Sequence, residues 1–255
     1  MIGDDVIYIA KDIKNRIIQS KQYVEARTED NTRKSFYAEF INKGDLFFDV
    51  GANVGNRVSP ILELGANIIA FEPQRSCRNI LKWKFGNKIT VVPKALGEKT
   101  DTRDLHISNF SGLSSISEEW IDSVKNTRFK NYEWKTIEKV QVTTLDQAIE
   151  TYGVPQFIKI DVEGYEFDVL KGLTRPINII SFEYTTPEQT DKAILCIKRI
   201  ASVNPHTEYN YSVGESMKFS LEKWIGIDEM LRLVNSQIFI KTAFGDIYAR
   251  NKRDV

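Results

Sequence analysis

The stretch Leu46-Phe47-Phe48-Asp49-Val50-Gly51-Ala52-Asn53-Val54-Gly55 decides the fold. Its apolar start suits a short buried parallel strand, and the chain must turn sharply where Asp49-Val50-Gly51 ends it. Gly51 and Gly55 carry no side chain, so a ligand or the next helix can approach the backbone, as at the first crossover turn of a doubly wound sheet. A second apolar run, Asn67-Ile68-Ile69-Ala70-Phe71, stops at Glu72 because Pro73 disfavours helical geometry in the residue before it. Glu72 is therefore expected at a strand tip. From Asp49 to Glu72 is 72 − 49 = 23 positions, near the roughly 20-residue offset at which a carboxylate grips ribose hydroxyls in nucleoside-binding folds.

What the turn lacks selects the nucleoside. A dinucleotide fingerprint, Gly-x-Gly-x-x-Gly, rests a pyrophosphate on backbone N–H groups, whereas Gly51-Ala52-Asn53-Val54-Gly55-Asn56 has no middle glycine. Asp49 at the head of the loop repels phosphate and suits a cationic amino or sulfonium group. S-adenosylmethionine meets both conditions and is the expected cofactor. Asp49 is read as contacting it, directly or through water, or else as bracing the turn. Asn53 either donates to the cofactor's carboxylate or stabilises the loop. Glu72 is read as the ribose ligand, since a carboxylate after Ile68-Ile69-Ala70-Phe71 has little reason to be core.

A second constellation, Lys159-Ile160-Asp161-Val162-Glu163-Gly164, ends another apolar strand. Alternation places Lys159, Asp161 and, if extended geometry persists, Glu163 on one side, at the carboxyl end where doubly wound sheets keep their chemistry. Asp161 and Glu163 are the candidate catalytic carboxylates, because a hydroxyl acceptor needs a base as its proton leaves. The alternative is that both cap a helix beginning near Tyr165. Glu166 reads as a first-turn helix residue.

The motifs Asp49 to Gly55, Phe71-Glu72-Pro73, Ala95-Leu96-Gly97, Gly112-Leu113-Ser114-Ser115, Thr144-Leu145-Asp146 and Ile158 to Glu166 occur in the order that resembles FkbM-type S-adenosylmethionine-dependent methyltransferases, across about positions 43–250. The resemblance implies a class I, Rossmann-like α/β fold with a mostly parallel seven-stranded sheet, helices on both faces and an antiparallel C-terminal hairpin. It also implies O-methylation of a hydroxyl on a sugar, glycan or glycosylated natural product. In such a fold Ala95 and Leu96 lie beside the adenine, and Ser114 and Ser115 are read either as hydroxyl ligands of cofactor or acceptor or as a flexible turn.

Composition agrees with a globular enzyme. The 255 residues are 42% hydrophobic and 27% charged, enough for one large α/β domain. Lys+Arg and Asp+Glu both number 35, so no global field attracts nucleic acid or an anionic membrane. Cys77 and Cys196 fall in expected helices, without a ligand motif, and read as core thiols of a cytoplasmic protein. Neither an export leader nor an apolar run of about 20 residues is visible. Positions 1–42 read as a helical lead-in and 43–255 as the methyltransferase domain, with 94–145 a lid or acceptor insertion around Leu105-His106-Ile107 and Val140-Gln141-Val142. Strands are expected near 46–50, 67–72, 89–92, 156–161 and 178–183, and a helix over 187–203. Tyr209 to Val213 and Asp246 to Ala249 suit a closing hairpin. The oligomeric state is left open.

No metal is assigned, although Glu183, one strand over, could join Asp161 around a hard divalent cation. His106 and His206 abut no catalytic residue type. Two other readings compete. An RNA ribose 2'-O-methyltransferase is suggested by Lys159 beside Asp161 and opposed by the balanced charge. A non-catalytic adenosyl-binding or interaction module is opposed by the retention of Asp161 and Glu163.

Overall fold

The computed structural model describes residues 27–252 as a mixed α/β structure; the helix expected over 6–18 lies outside them. Helical residues 27–37 (α1) bring Phe36 and Tyr37 into the core. The chain then alternates through β1 (Leu46–Val50), α2 (Val58–Glu63), β2 (Asn67–Phe71), α3 (Arg75–Phe85) and β3 (Thr90–Val92). Next come β4 (Ala95–Leu96), β5 (Asp101–Ser108), α4 (Glu118–Val124) and β6 (Trp134–Thr143). Alternation resumes with α5 (Leu145–Tyr152), β7 (Phe157–Ile160), α6 (Glu166–Lys171), β8 (Ile179–Thr185) and α7 (Thr190–Val203). The chain closes with β9 (Thr207–Val213), α8 (Ile227–Val234), α9 (Gln237–Ile240) and β10 (Phe244–Asn251).

The main sheet has seven strands in the order β3-β2-β1-β7-β8-β10-β9. Only β10 runs antiparallel to its neighbours, as the sequence led us to expect. Its strands are short and apolar because both faces are covered. Phe48, Val50, Ile158, Ile160, Ile180 and Phe182 enter one core, and Phe47, Phe157, Ile179 and Tyr248 enter the other. Each such side chain contributes about 1.5–3 kcal/mol on burial. The same alternation puts Asp49, Lys159, Glu183 and Asp246 on the second face, toward the carboxyl ends of the parallel strands. In register, Asp49 lies opposite Lys159 and Asp246 opposite Glu183.

Two expectations need correction. The closing strands β9 and β10 do pair, but not as a hairpin, because 214–243 intervene with α8 and α9. Ile227, Met230, Leu231 and Val234 carry helical spacing in that connection, and Met230, Val234 and Phe239 are buried against the main core. The segment 94–145 is also more ordered than two short strands around a polar stretch. There β4, β6 and β5 form a separate three-stranded sheet, and β5 and β6 pair antiparallel from Asp101↔Val142 to Ser108↔Trp134. Among the described residues no helix is long and apolar enough to cross a membrane.

Candidate active site

Asp161 follows the last residue of β7, and its position depends on Gly51. A Cβ on Gly51 would lie 1.8 Å from the backbone oxygen of Asp161, and its φ of +81° is a conformation that favours glycine. The first crossover turn and the end of β7 are thus in contact through backbone. Gly55 plays a different part: its missing side chain admits Leu81 and Phe85 of α3, so it serves helix packing and lies outside the cavity lining.

The Asp161 carboxylate is held from below. Lys159, only 2% exposed, places its Nζ 3.0 Å from Asp161 Oδ2 and 3.3 Å from Asp246 Oδ1. Burial disfavours the ammonium, but the charges of Asp161 and Asp246 outweigh it and hold the Lys159 pKa above its ordinary value. Asp246 is itself 4% exposed and accepts from the Tyr248 hydroxyl at 3.3 Å.

Extended geometry does not persist to Glu163, whose φ is +54°. It reaches the cavity through a turn, completed by Gly164 at φ +86°, where a Cβ would lie 2.4 Å from the Trp120 side chain. The turn is braced from three directions. Glu166 Oε1 accepts from the N–H groups of Val162 at 3.0 Å and Gly164 at 3.2 Å. Trp120 packs on its top, and the Ser115 hydroxyl donates to the Glu163 carbonyl at 2.6 Å. Glu166 thus braces the turn ahead of α6, and Asp161 and Glu163 both line the cavity.

Asp161, Glu163 and Glu183 each offer an oxygen, all within 4.8 Å of one another. Three carboxylates this close need either shared protons or a hard cation between them. Burial, followed by the charge of Asp161, pushes the pKa values of both Glu163 and Glu183 well above the usual carboxylate range.

At the other end of the cavity, Glu72 Oε2 accepts from Asn53 N–H at 2.8 Å and Oε1 from Gln74 N–H at 2.6 Å. Glu72 therefore fastens the glycine loop to the tip of β2, with one lone pair on each oxygen still available. Burial raises its pKa to about 7 despite those two N–H groups. Asn53 has φ +47°, and its Oδ1 lies 3.3 Å from the Ser111 hydroxyl. Asp49 is 2% exposed and its Oδ2 has no hydrogen-bond partner among the described residues. Burial lifts its pKa to about 6, with Lys159 and Arg57 opposing. An orphaned buried carboxylate oxygen beside the glycine turn is the feature a cationic amino or sulfonium group would satisfy.

Asp49, Gly51, Asn53, Glu72, Ala95, Leu96, Ser114, Ser115, Asp161, Glu163 and Glu183 all line one cavity of about 1060 Å³. That is at the upper end of the roughly 300–1,000 Å³ range of ligand pockets, room for a cofactor and a second molecule. Two candidates contribute structure there. Ser115 uses its hydroxyl on the Glu163 carbonyl and on Ser117 N–H at 2.9 Å, and Ser114 Oγ accepts from Ser108 N–H at 3.1 Å. His106 lies in β5, 3.3 Å from Glu118, and both cysteines are buried and free.

Sequence reasoning missed Asp246, Arg57 and Glu215. A lone aspartate in the apolar stretch Ile247-Tyr248-Ala249 was a usable signal for the first; nothing marked the other two.

The Methyltransferase FkbM domain profile matches residues 49–222. Over 151 residues the chain is 29% identical to "Hexuronic acid methyltransferase AglP" of Haloferax volcanii, an alignment spanning 56% of each protein, so just over half of that relative's length. Among solved structures, a precorrin-6y C5,15-methyltransferase from Geobacter metallireducens superposes with a TM-score of 0.45 at 9% identity, covering 86% of this chain and 87% of the other. A TehB-like methyltransferase from Corynebacterium glutamicum gives 0.44 at 8% identity, covering 92% and 99%. The profile spans more than half of the sequence and contains the glycine turn, Glu72 and the Asp161 to Glu166 turn, so the chain belongs to the FkbM family of S-adenosylmethionine-dependent methyltransferases.

Proposed function

We propose that the protein methylates a hydroxyl oxygen of a sugar or glycan acceptor. The observation that carries this reading is the Asp161 carboxylate, anchored through Oδ2 by buried Lys159 and sharing one cavity with the glycine turn and Glu72. Bound S-adenosylmethionine supplies an electrophilic methyl group on a sulfonium sulfur. The residues of this chain do the rest. Asp49 would face the cationic part of the cofactor, Glu72 and the Asn53 loop would hold its ribose and amino-acid portions, and Ala95 and Leu96 would flank its adenine. Asp161 orients the acceptor hydroxyl in line with the methyl group and takes its proton as the new C–O bond forms and the C–S bond breaks. Glu163 and Glu183 hydrogen-bond neighbouring hydroxyls, and the 94–145 segment roofs the acceptor.

The name of the Haloferax volcanii relative supports a carbohydrate acceptor. The RNA reading keeps the pairing that suggested it, since Lys159 lies 3.0 Å from Asp161, and what weighs against it is the balance of 35 Lys+Arg and 35 Asp+Glu. Asp161→Asn preserves shape and removes the charge. Turnover of labelled S-adenosylmethionine onto a sugar acceptor should fall about 10²-fold or more, while S-adenosylhomocysteine affinity stays within a fewfold of the parent. Undiminished turnover would move catalysis away from this strand end.

A further inference from the structure

The cavity has a basic wall as well as an acidic one. Arg57, 7% exposed, directs Nη1 to Glu215 Oε2 at 2.5 Å, and Arg33 Nη2 lies 3.7 Å from the same oxygen. Both arginines and Glu215 line the cavity that contains Asp161. Arg33 also pairs along its own helix with Glu29 at 3.2 Å and Asp30 at 3.6 Å, yet its Nε is buried with no acceptor among the described residues. One buried guanidinium N–H is thus left for an anion. The shared partner of the two arginines, Glu215, has a side chain that is 53% exposed. A buried guanidinium presents five N–H donors in a planar fork that matches a carboxylate, and it is costly to leave without an anion.

We propose that Arg57, flanked by Arg33, forms a carboxylate subsite for the acceptor, which makes the acceptor an anionic sugar of the hexuronic acid class. This rests on the glycan reading above. Glu215 occupies the position of the incoming carboxylate, and Arg57 holds its carboxyl below the ordinary pKa against the opposing effect of burial. The two walls then orient the acceptor by charge. Asp161 repels a carboxylate, and Glu163 and Glu183 hydrogen-bond hydroxyls beside it, whereas Arg57 attracts the carboxylate.

The amino-acid carboxylate of the cofactor is the other source of the same chemistry. Arg57 follows the glycine turn directly, whereas Glu215 follows β9 at the opposite edge of the sheet from β2 and β3, so the ion pair reaches from the cofactor's turn toward the far side of the cavity, and the titration below separates the two sources.

Calorimetric titration of methyl glucuronoside and methyl glucoside into the protein saturated with S-adenosylhomocysteine tests this without requiring turnover. The wild type should bind the uronoside at least tenfold more tightly. In Arg57→Gln that preference should collapse toward unity, with S-adenosylhomocysteine affinity within threefold of wild type. Glu215→Gln alters a half-exposed side chain and leaves Arg57 in place, so it supplies a second readout should the Arg57 variant misfold. It removes the competing carboxylate and should raise uronoside affinity several-fold. Three results overturn the subsite: no uronoside preference in the wild type, an equal loss of S-adenosylhomocysteine affinity in Arg57→Gln, or a base-labile methyl ester as the product from the uronoside. Methylation of the glucoside without uronoside preference would sink the subsite and leave the glycan reading standing. Binding of S-adenosylhomocysteine with no sugar bound or methylated would sink both.

Discussion

Replacing Glu72 by Gln tests whether this carboxylate holds the cofactor loop as well as the cofactor. Glu72 accepts two backbone N–H groups, from Asn53 at 2.8 Å and Gln74 at 2.6 Å, at a site only 5% exposed. A glutamine has one oxygen, so its NH₂ group must face one of those N–H donors. One buried donor is then unpaired, a loss of about 1.5–3 kcal/mol for a hydrogen bond to a charged group. The same change removes a buried charge whose pKa stands at about 7 rather than 4.5, a gain of about 3 kcal/mol at pH 8 that offsets this loss, so Tm should stay close to that of the wild type. The second effect is on affinity. A ribose hydroxyl that donated to the carboxylate loses its acceptor, and the loop carrying Asn53 loosens, so S-adenosylhomocysteine should bind at least tenfold more weakly, about 1.4 kcal/mol. Thermal unfolding and calorimetric titration at pH 8, where the wild-type carboxyl is largely ionised, measure both. Affinity within twofold of wild type would refute the reasoning, because the carboxylate would then hold neither the ribose nor the loop that carries Asn53.

Three further outcomes are expected. Glu166→Gln keeps the oxygen that accepts from Val162 and Gly164 but removes a buried charge whose pKa burial raises from 4.5 to about 7. Between those values the unfolded chain binds fewer protons than the folded one, so the wild type loses stability as pH rises from about 4.5 to 7. The variant should match it near pH 4 and exceed it by up to about 3 kcal/mol at pH 8, and a pH-independent difference in Tm would contradict this. Burial and the charge of Asp161 both push Glu163 and Glu183 toward their neutral forms, which need no cation, so turnover should survive a chelator; loss of activity in EDTA and its return with Mg²⁺ would instead make Asp161, Glu163 and Glu183 a cation site. Gly51→Ala sets a Cβ 1.8 Å from the Asp161 carbonyl and should abolish soluble folded protein, so a normally folded variant would disprove that close approach.

Local signals carried the architecture. Short apolar runs ending in Asp49-Val50-Gly51, Glu72-Pro73 and Lys159-Ile160-Asp161 imposed buried parallel strands and located three carboxylates near strand tips, because pleat alternation and proline act within a few residues. What Glu163 does was not legible from alternation, since its left-handed backbone depends on Glu166, Ser115 and Trp120, up to 48 positions away. The partnership of Lys159 with Asp246, 87 positions apart, likewise exists only because β8 and β10 pair antiparallel beside β7. Arg57, Arg33 and Glu215 look like ordinary surface charges in the sequence and become one wall of a cavity only when α1 and the end of β9 meet the glycine turn. The sequence by itself determined which segments are strands and which carboxylates terminate them, because those depend on neighbours in the chain. Tertiary structure decided which charges face each other, because burial and Coulomb energy depend on distance in space, and the strand order that sets those distances is a property of the whole sheet.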